Sequence, residues 1–202
     1  MNKSYALTIC SKIAPSIIVD MDDVLCELSP LLHEGLLKET GQDIPINEWE
    51  HYQLPNLYQN ITSQLISDII IKYDVYARSS PIAGAVRALE CFRERGYIIH
   101  LCTARGMIEG HEQVTKQWIA QHNVPHDSLT FVQFGESKSQ AYGQLDKVFS
   151  YMFDDAIHNI DDAIGSNKVI KPTIVTRPWN KNERRYLRTP SLFDFCKDVG
   201  WV

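Results

Sequence analysis

The chain has 202 residues, 44% hydrophobic and 22% charged, a balance that supports one globular core with a modest insert. A formal net charge of -5 argues against stable nucleic-acid binding, and no stretch approaches the roughly 20 apolar residues of a membrane span. Five scattered cysteines without a C-x-x-C spacing argue against a disulfide frame or a zinc site; with a poor signal-peptide start, they lead us to expect a soluble protein of the cytoplasm.

Taken in chain order, Ser16, Ile17, Ile18 and Val19 read as a buried strand that ends at Asp20. Ser29 and Pro30 open a helix carrying Leu31, Leu32, Leu36 and Leu37 on one side, and Gly41 stops it. A second helix is predicted over 62–73 through Leu65, Ile66, Ile69 and Ile70. No strand pattern interrupts this region, so residues 28–80 read as a small helical cap inserted after the first strand. Residues 1–27 and 81–202 then form the α/β core. In that core the pattern predicts helices over 84–95, 108–122, 137–145 and 156–164. Strands are predicted over 97–102, 129–134, 149–153 and 169–175. Such alternation implies a Rossmann-like, mainly parallel sheet covered on both faces.

Ligands of open α/β sheets bind beyond the carboxyl ends of the strands, and four polar groups fall there. They are Asp20 with Asp22, then Thr103 with Ala104 and Arg105, then Lys138, then Asp154 with Asp155. Asp20 and Asp154 offer hard oxygen ligands suited to Mg²⁺. Lys138, the Thr103 hydroxyl and the N–H groups of Ala104 and Arg105 suit phosphate oxygens. Asp20 can attack phosphorus, and Asp22 can serve as acid and then as base.

The four groups stand in the order hydrophobic strand-D-x-D, strand-T, lysine, strand-DD. That order resembles the haloacid dehalogenase-like (HAD) phosphohydrolases, over roughly residues 16 to 190. Further stretches resemble their 5'(3')-deoxyribonucleotidase group: Val19 through Leu25, Ser80-Pro81-Ile82-Ala83-Gly84-Ala85, Val124-Pro125-His126-Asp127 and Arg177-Pro178-Trp179-Asn180-Lys181. The resemblance implies a Mg²⁺-dependent phosphatase whose substrate is a small phosphate ester, a (deoxy)nucleoside monophosphate, and whose metal sits on Asp20, Asp154 and the Asp22 carbonyl, with Asp155 just outside that set. Asp23 stands where that group usually carries Gly, and Thr103-Ala104-Arg105 departs from its Ser-Pro type.

Several readings stay open at this stage. Thr103 and the pair Asp154–Asp155 also suit helix capping. Arg105 can clamp phosphate or pair with a cap carboxylate. Trp49, Tyr52, Tyr58, Tyr73 and Tyr76 can stack on a base or fill the cap's own core. The basic run from Lys181 to Arg188 reads as a solvated loop more readily than a binding site. Lys138 is preferred to Lys147 as the site lysine, Cys26 and Cys102 read as packing residues, and the seven histidines receive no role. The substrate alternatives are a sugar phosphate or a nucleic-acid 3'-end; a further alternative is a binding module without turnover.

Overall fold

The computed structural model describes residues 14–107, 110–133, 136–144 and 147–202. In chain order the elements are β1 (Ser16–Val19), α1 (Ser29–Thr40), α2 (Ser63–Lys72), α3 (Val75–Arg78), α4 (Ala85–Glu94), β2 (Ile98–Thr103) and α5 (His111–Gln121). They continue with β3 (Ser128–Phe131), α6 (Ser139–Gln144), β4 (Phe149–Asp154), α7 (Ile157–Gly165), β5 (Val169–Val175), β6 (Leu187–Thr189) and α8 (Leu192–Asp198).

The six strands form one sheet in the order β3-β2-β1-β4-β5-β6, and every ladder is parallel. The chain winds outward from β1 to β3, then returns to place β4 against the other side of β1. That reversal opens a crevice at the carboxyl ends of β1 and β4. Side chains alternate across the sheet. Ile17, Val19, Ile99, Leu101 and Phe153 share one core layer with residues of α4, α5 and α8. Ile18, Cys102, Met152 and Ile174 share the other with Ala141, Ile160 and Ala163 of α6 and α7. The α/β core expected from the alternating pattern is therefore present, with both faces covered.

The cap is a separate apolar cluster. Leu32, Leu36, Ile69, Ile70 and Val75 from α1, α2 and α3 pack around Trp49 and Tyr58. Gly41 ends α1 at a φ of 70°, its N–H donating to the Leu37 carbonyl, a left-handed stop that costs glycine little. The chains entering and leaving the cap run side by side: the Ile82 N–H donates to Leu25 O at 2.8 Å, and Glu27 N–H to Ser80 O at 2.9 Å. On the core side, Trp118 of α5 donates its indole N–H to Ser79 O at 2.7 Å.

The differences from the sequence expectations are local. β2 includes Thr103, and β3 is confined to 128–131. α3, β6 and α8 were not anticipated. Predicted helix residues 108, 109 and 145 and strand residue 134 lie outside the described residues. Among the described residues, no helix is long and apolar enough to cross a membrane.

Candidate active site

Asp20 directly follows β1, and its N–H is fixed by the Phe153 carbonyl at 2.9 Å. Asp154 is the last residue of β4. Lys138, just ahead of α6, inserts its ammonium between them: Nζ lies 2.6 Å from Asp20 Oδ1 and 2.8 Å from Asp154 Oδ2. Lys138, and not Lys147, reaches these carboxylates. All three residues are buried. Asp154 Oδ1 also accepts from the Ala156 N–H at 2.9 Å and Asn159 Nδ2 at 3.0 Å, so this carboxylate caps α7 while facing the site. Asp155 does not cap. Its Oδ2 accepts the Trp179 indole N–H at 2.9 Å, and its carbonyl accepts from Asn180 Nδ2 at 2.8 Å.

Carboxylate oxygens of Asp20, Asp154 and Asp155 lie within 4.8 Å of one another. Asp155, expected just outside the metal set, belongs to this cluster, whereas the Asp22 carboxylate turns away toward Arg105. Burial pushes the Asp20 carboxyl up to about 7; the Lys138 ammonium pulls it down, and the Asp154 and Asp22 carboxylates add to the rise. Asp155 is pushed well above the usual carboxylate range by burial, then by Asp154 and Asp20. One ammonium does not neutralise three buried carboxylates. A compact set of hard oxygen donors with excess negative charge fits a divalent cation.

Thr103 closes β2 next to this cluster and is fully buried. Its Oγ1 has no hydrogen-bond partner among the described residues. Leaving a hydroxyl in that state costs about 1–3 kcal/mol, which suits a hydroxyl held ready for a ligand oxygen and not one used as a helix cap.

Arg105 pairs with a carboxylate of the core and not with one of the cap. It is fully buried and grips Asp22: Nε lies 2.9 Å from Oδ1 and 3.2 Å from Oδ2, and Nη2 also donates to Oδ1. Nη2 meets Cys26 Sγ at 3.1 Å, and Nη1 meets Thr115 Oγ1 at 3.4 Å. The Tyr76 ring, from the cap, covers the guanidinium at 4.0 Å. Burial pushes the Cys26 thiol well above its ordinary value, so Cys26 is a packing residue, not a nucleophile.

A cavity of about 290 Å³ lies between cap and core. Leu28, Leu32, Leu54, Ile66 and Ile70 supply much of its wall, and Trp49, Tyr52, Tyr76 and Trp179 its aromatic part. Asp22, Ala104, Arg105 and Asp155 line it on the core side, while Gln53, Ser63 and Ser67 add polar edges. The five cap aromatics divide. Trp49 and Tyr58 are buried in the cap and packed edge to face. Tyr73 is held by Glu39, and Tyr76 serves Arg105. Tyr52 keeps an exposed ring, 40% accessible, set edge-on to His158 and Trp179.

Sequence reasoning missed the roles of Asn159, Trp179 and Tyr76. Asn159 follows Asp154 by one helical turn, a spacing that can be sought. Trp179 stood in a quoted motif, but without a role. The run from Lys181 to Arg188 is paired within the protein: Lys181 reaches Glu50 of the cap at 3.6 Å, Arg185 binds Glu183 and Asp161, and Arg188 binds the carbonyls of Asn180 and Glu183.

No family model and no curated protein matches this sequence. Solved structures do. A predicted phosphatase from Clostridium acetobutylicum superposes with a TM-score of 0.64 at 14% identity, covering 93% of this chain and 98% of that one. A haloacid dehalogenase-like hydrolase from Streptococcus pneumoniae gives 0.63 at 14% identity, covering 92% and 98%. CbbY from Rhodobacter sphaeroides, solved with phosphate, gives 0.60 at 13% identity, covering 91% and 96%. The fold is therefore haloacid dehalogenase-like, a Rossmann-like core with a helical cap inserted after its first strand.

Proposed function

We propose that this protein is a Mg²⁺-dependent phosphomonoesterase acting on nucleoside monophosphates. One observation supports the reading: in the crevice beyond β1 the buried Asp20 carboxylate meets the Lys138 ammonium at 2.6 Å, and the hydroxyl of Thr103, at the end of the neighbouring strand β2, has no partner among the described residues. Such a crevice suits an anionic tetrahedral group set against a nucleophile.

In the reaction, Asp20 attacks phosphorus while Lys138 and Thr103 hold the phosphoryl oxygens, with the Ala104 N–H beside them. Asp22 gives a proton to the departing alkoxide as the P–O bond breaks, leaving an aspartyl phosphate on Asp20. Asp22 then takes a proton from water, which attacks phosphorus and frees Asp20 and inorganic phosphate. Asp20 and Asp154, with the Asp22 carbonyl and Asp155, would hold the metal. A bound Mg²⁺ supplies charge that offsets the crowded carboxylates and the phosphoryl oxygens.

The cavity supports the nucleotide over its alternatives. Its apolar and aromatic wall suits a flat base, with Gln53, Ser63 and Ser67 available to polar edges. A polyhydroxylated sugar would leave hydroxyls unpaired there, and a net charge of -5 disfavours a nucleic-acid strand. The presence of both Asp20 and Asp22 argues against a module without turnover.

The test is phosphate release from nucleoside monophosphates, sugar phosphates and an aryl phosphate, with Mg²⁺ or EDTA. Release from nucleotides should require Mg²⁺ and fall at least about 10³-fold in Asp20→Asn. Release from sugar phosphates in preference to nucleotides would contradict the substrate assignment. Mg²⁺-dependent nucleotide binding without release from any ester would contradict the activity.

A further inference from the structure

We infer that Arg105 is the positioning residue of the acid–base step: it selects which oxygen of Asp22 exchanges the proton. The inference rests on the functional reading above and concerns a residue first expected to bind phosphate.

The geometry is asymmetric. Asp22 Oδ1 receives Nε and Nη2 of Arg105, and Cys26 Sγ stands 3.5 Å from it. Oδ2 receives one longer contact, 3.2 Å from Nε. A carboxylate oxygen occupied by two charged donors makes a poor site for a proton, so Oδ2 is the oxygen that gives and takes it. The guanidinium is itself locked. Thr115 of α5 accepts from Nη1, Cys26 lies against Nη2, and Tyr76 covers the plane at 4.0 Å. Its side chain is 0% exposed and that of Asp22 is 22% exposed; both residues line the cavity, with the Asp22 carboxylate the more open of the two. Because Tyr76 belongs to α3, the cap forms one wall of this clamp. A lysine supplies one compact charge and no fork, so it holds the carboxylate without choosing the oxygen.

Leaving groups separate this role from phosphate binding. A nucleoside 5'-oxygen leaves as a poor alkoxide and needs the proton; 4-nitrophenolate leaves without one. The ratio kcat/KM covers only the steps through phosphoenzyme formation, so it isolates the acid role from the later attack of water. In Arg105→Lys and Arg105→Gln, kcat/KM for a nucleoside monophosphate should fall about 10²- to 10³-fold. For 4-nitrophenyl phosphate, kcat/KM should stay within about threefold, while kcat drops as attack by water slows. Both substrates are assayed in one preparation, so their ratio does not depend on the folded fraction, and circular dichroism melts report folding separately. Equal losses in kcat/KM for the two esters, or a loss for neither, would overturn the inference. Wild-type protein inert toward both esters would overturn the functional reading itself, and the inference with it.

Discussion

At the scale of single residues, the site concentrates charge that burial does not favour. Asp20 is raised to about 7 from 3.8, chiefly by desolvation, and Asp155 is raised well above its ordinary range. The folded, metal-free protein therefore holds protons on these groups at pH values where the unfolded chain has already lost them. Their contribution to stability is complete below the unfolded value, near 3.8 for aspartate, and is lost as pH rises through about 7. The melting temperature in EDTA should accordingly fall between about pH 5 and pH 8. Excess Mg²⁺ should reduce that fall, because the cation replaces the protons, and Mg²⁺ affinity should rise over the same interval. Thermal melts across this range, with and without Mg²⁺, check the sign. A melting temperature that climbs with pH in EDTA would show that the cluster is not protonated in this way.

At the scale of elements, the loop after β1 shows how a catalytic turn also builds the cap. Asp23 adopts a φ of 54°, a left-handed conformation that glycine or aspartate tolerates and branched residues do not. This gives a physical reason for Asp to replace the Gly usual in the resembling group. The side chain adds what glycine lacks. Its Oδ1 accepts the N–H groups of Leu28 and Ser29 at 3.1 Å, and its Oδ2 accepts the Ser29 hydroxyl at 2.6 Å. Asp23 thus caps α1 from outside the helix, while Arg177 Nε donates to its carbonyl at 2.7 Å. Asp23→Gly should keep the turn and lose the cap, destabilising the fold by about 1 kcal/mol. Asp23→Ala should add the left-handed strain, for about 2–3 kcal/mol in all. Urea unfolding measures both, and an alanine variant as stable as the glycine variant would remove the strain argument. The sequence showed the turn and the helix because both signals are local. It did not show their connection, since nothing in the spacing of Asp23 and Ser29 says that a carboxylate folds back onto a helix start. For the same reason α3, β6 and α8, all short, carried too few periodic residues to stand out.

At the scale of the molecule, two bodies meet over one crevice. The positions of Asp20, Thr103, Lys138 and Asp154 were legible because strand ends in an alternating α/β chain share one edge of the sheet. What was not legible depends on contacts between distant segments: Trp179 on Asp155 and Tyr52, Tyr76 on Arg105, and Arg105 on Asp22. Two of them, Trp179 with Tyr52 and Tyr76 with Arg105, join cap and core, so cap position and site geometry are linked. The cavity lining stops at Asp22, Ala104, Arg105 and Asp155, and Asp20 and Lys138 lie buried beyond it. On the proposed function, the cap opens to admit substrate and closes to keep bulk water out. On that reading, the closed cap shields a phosphoryl group on Asp20 until Asp22 activates water. The most direct test is to acid-quench the protein during turnover of a nucleoside monophosphate, reduce it with borohydride and map the product by mass spectrometry. The account predicts homoserine at position 20, the reduction product of an aspartyl phosphate. Steady turnover with residue 20 recovered only as unmodified aspartate would contradict it.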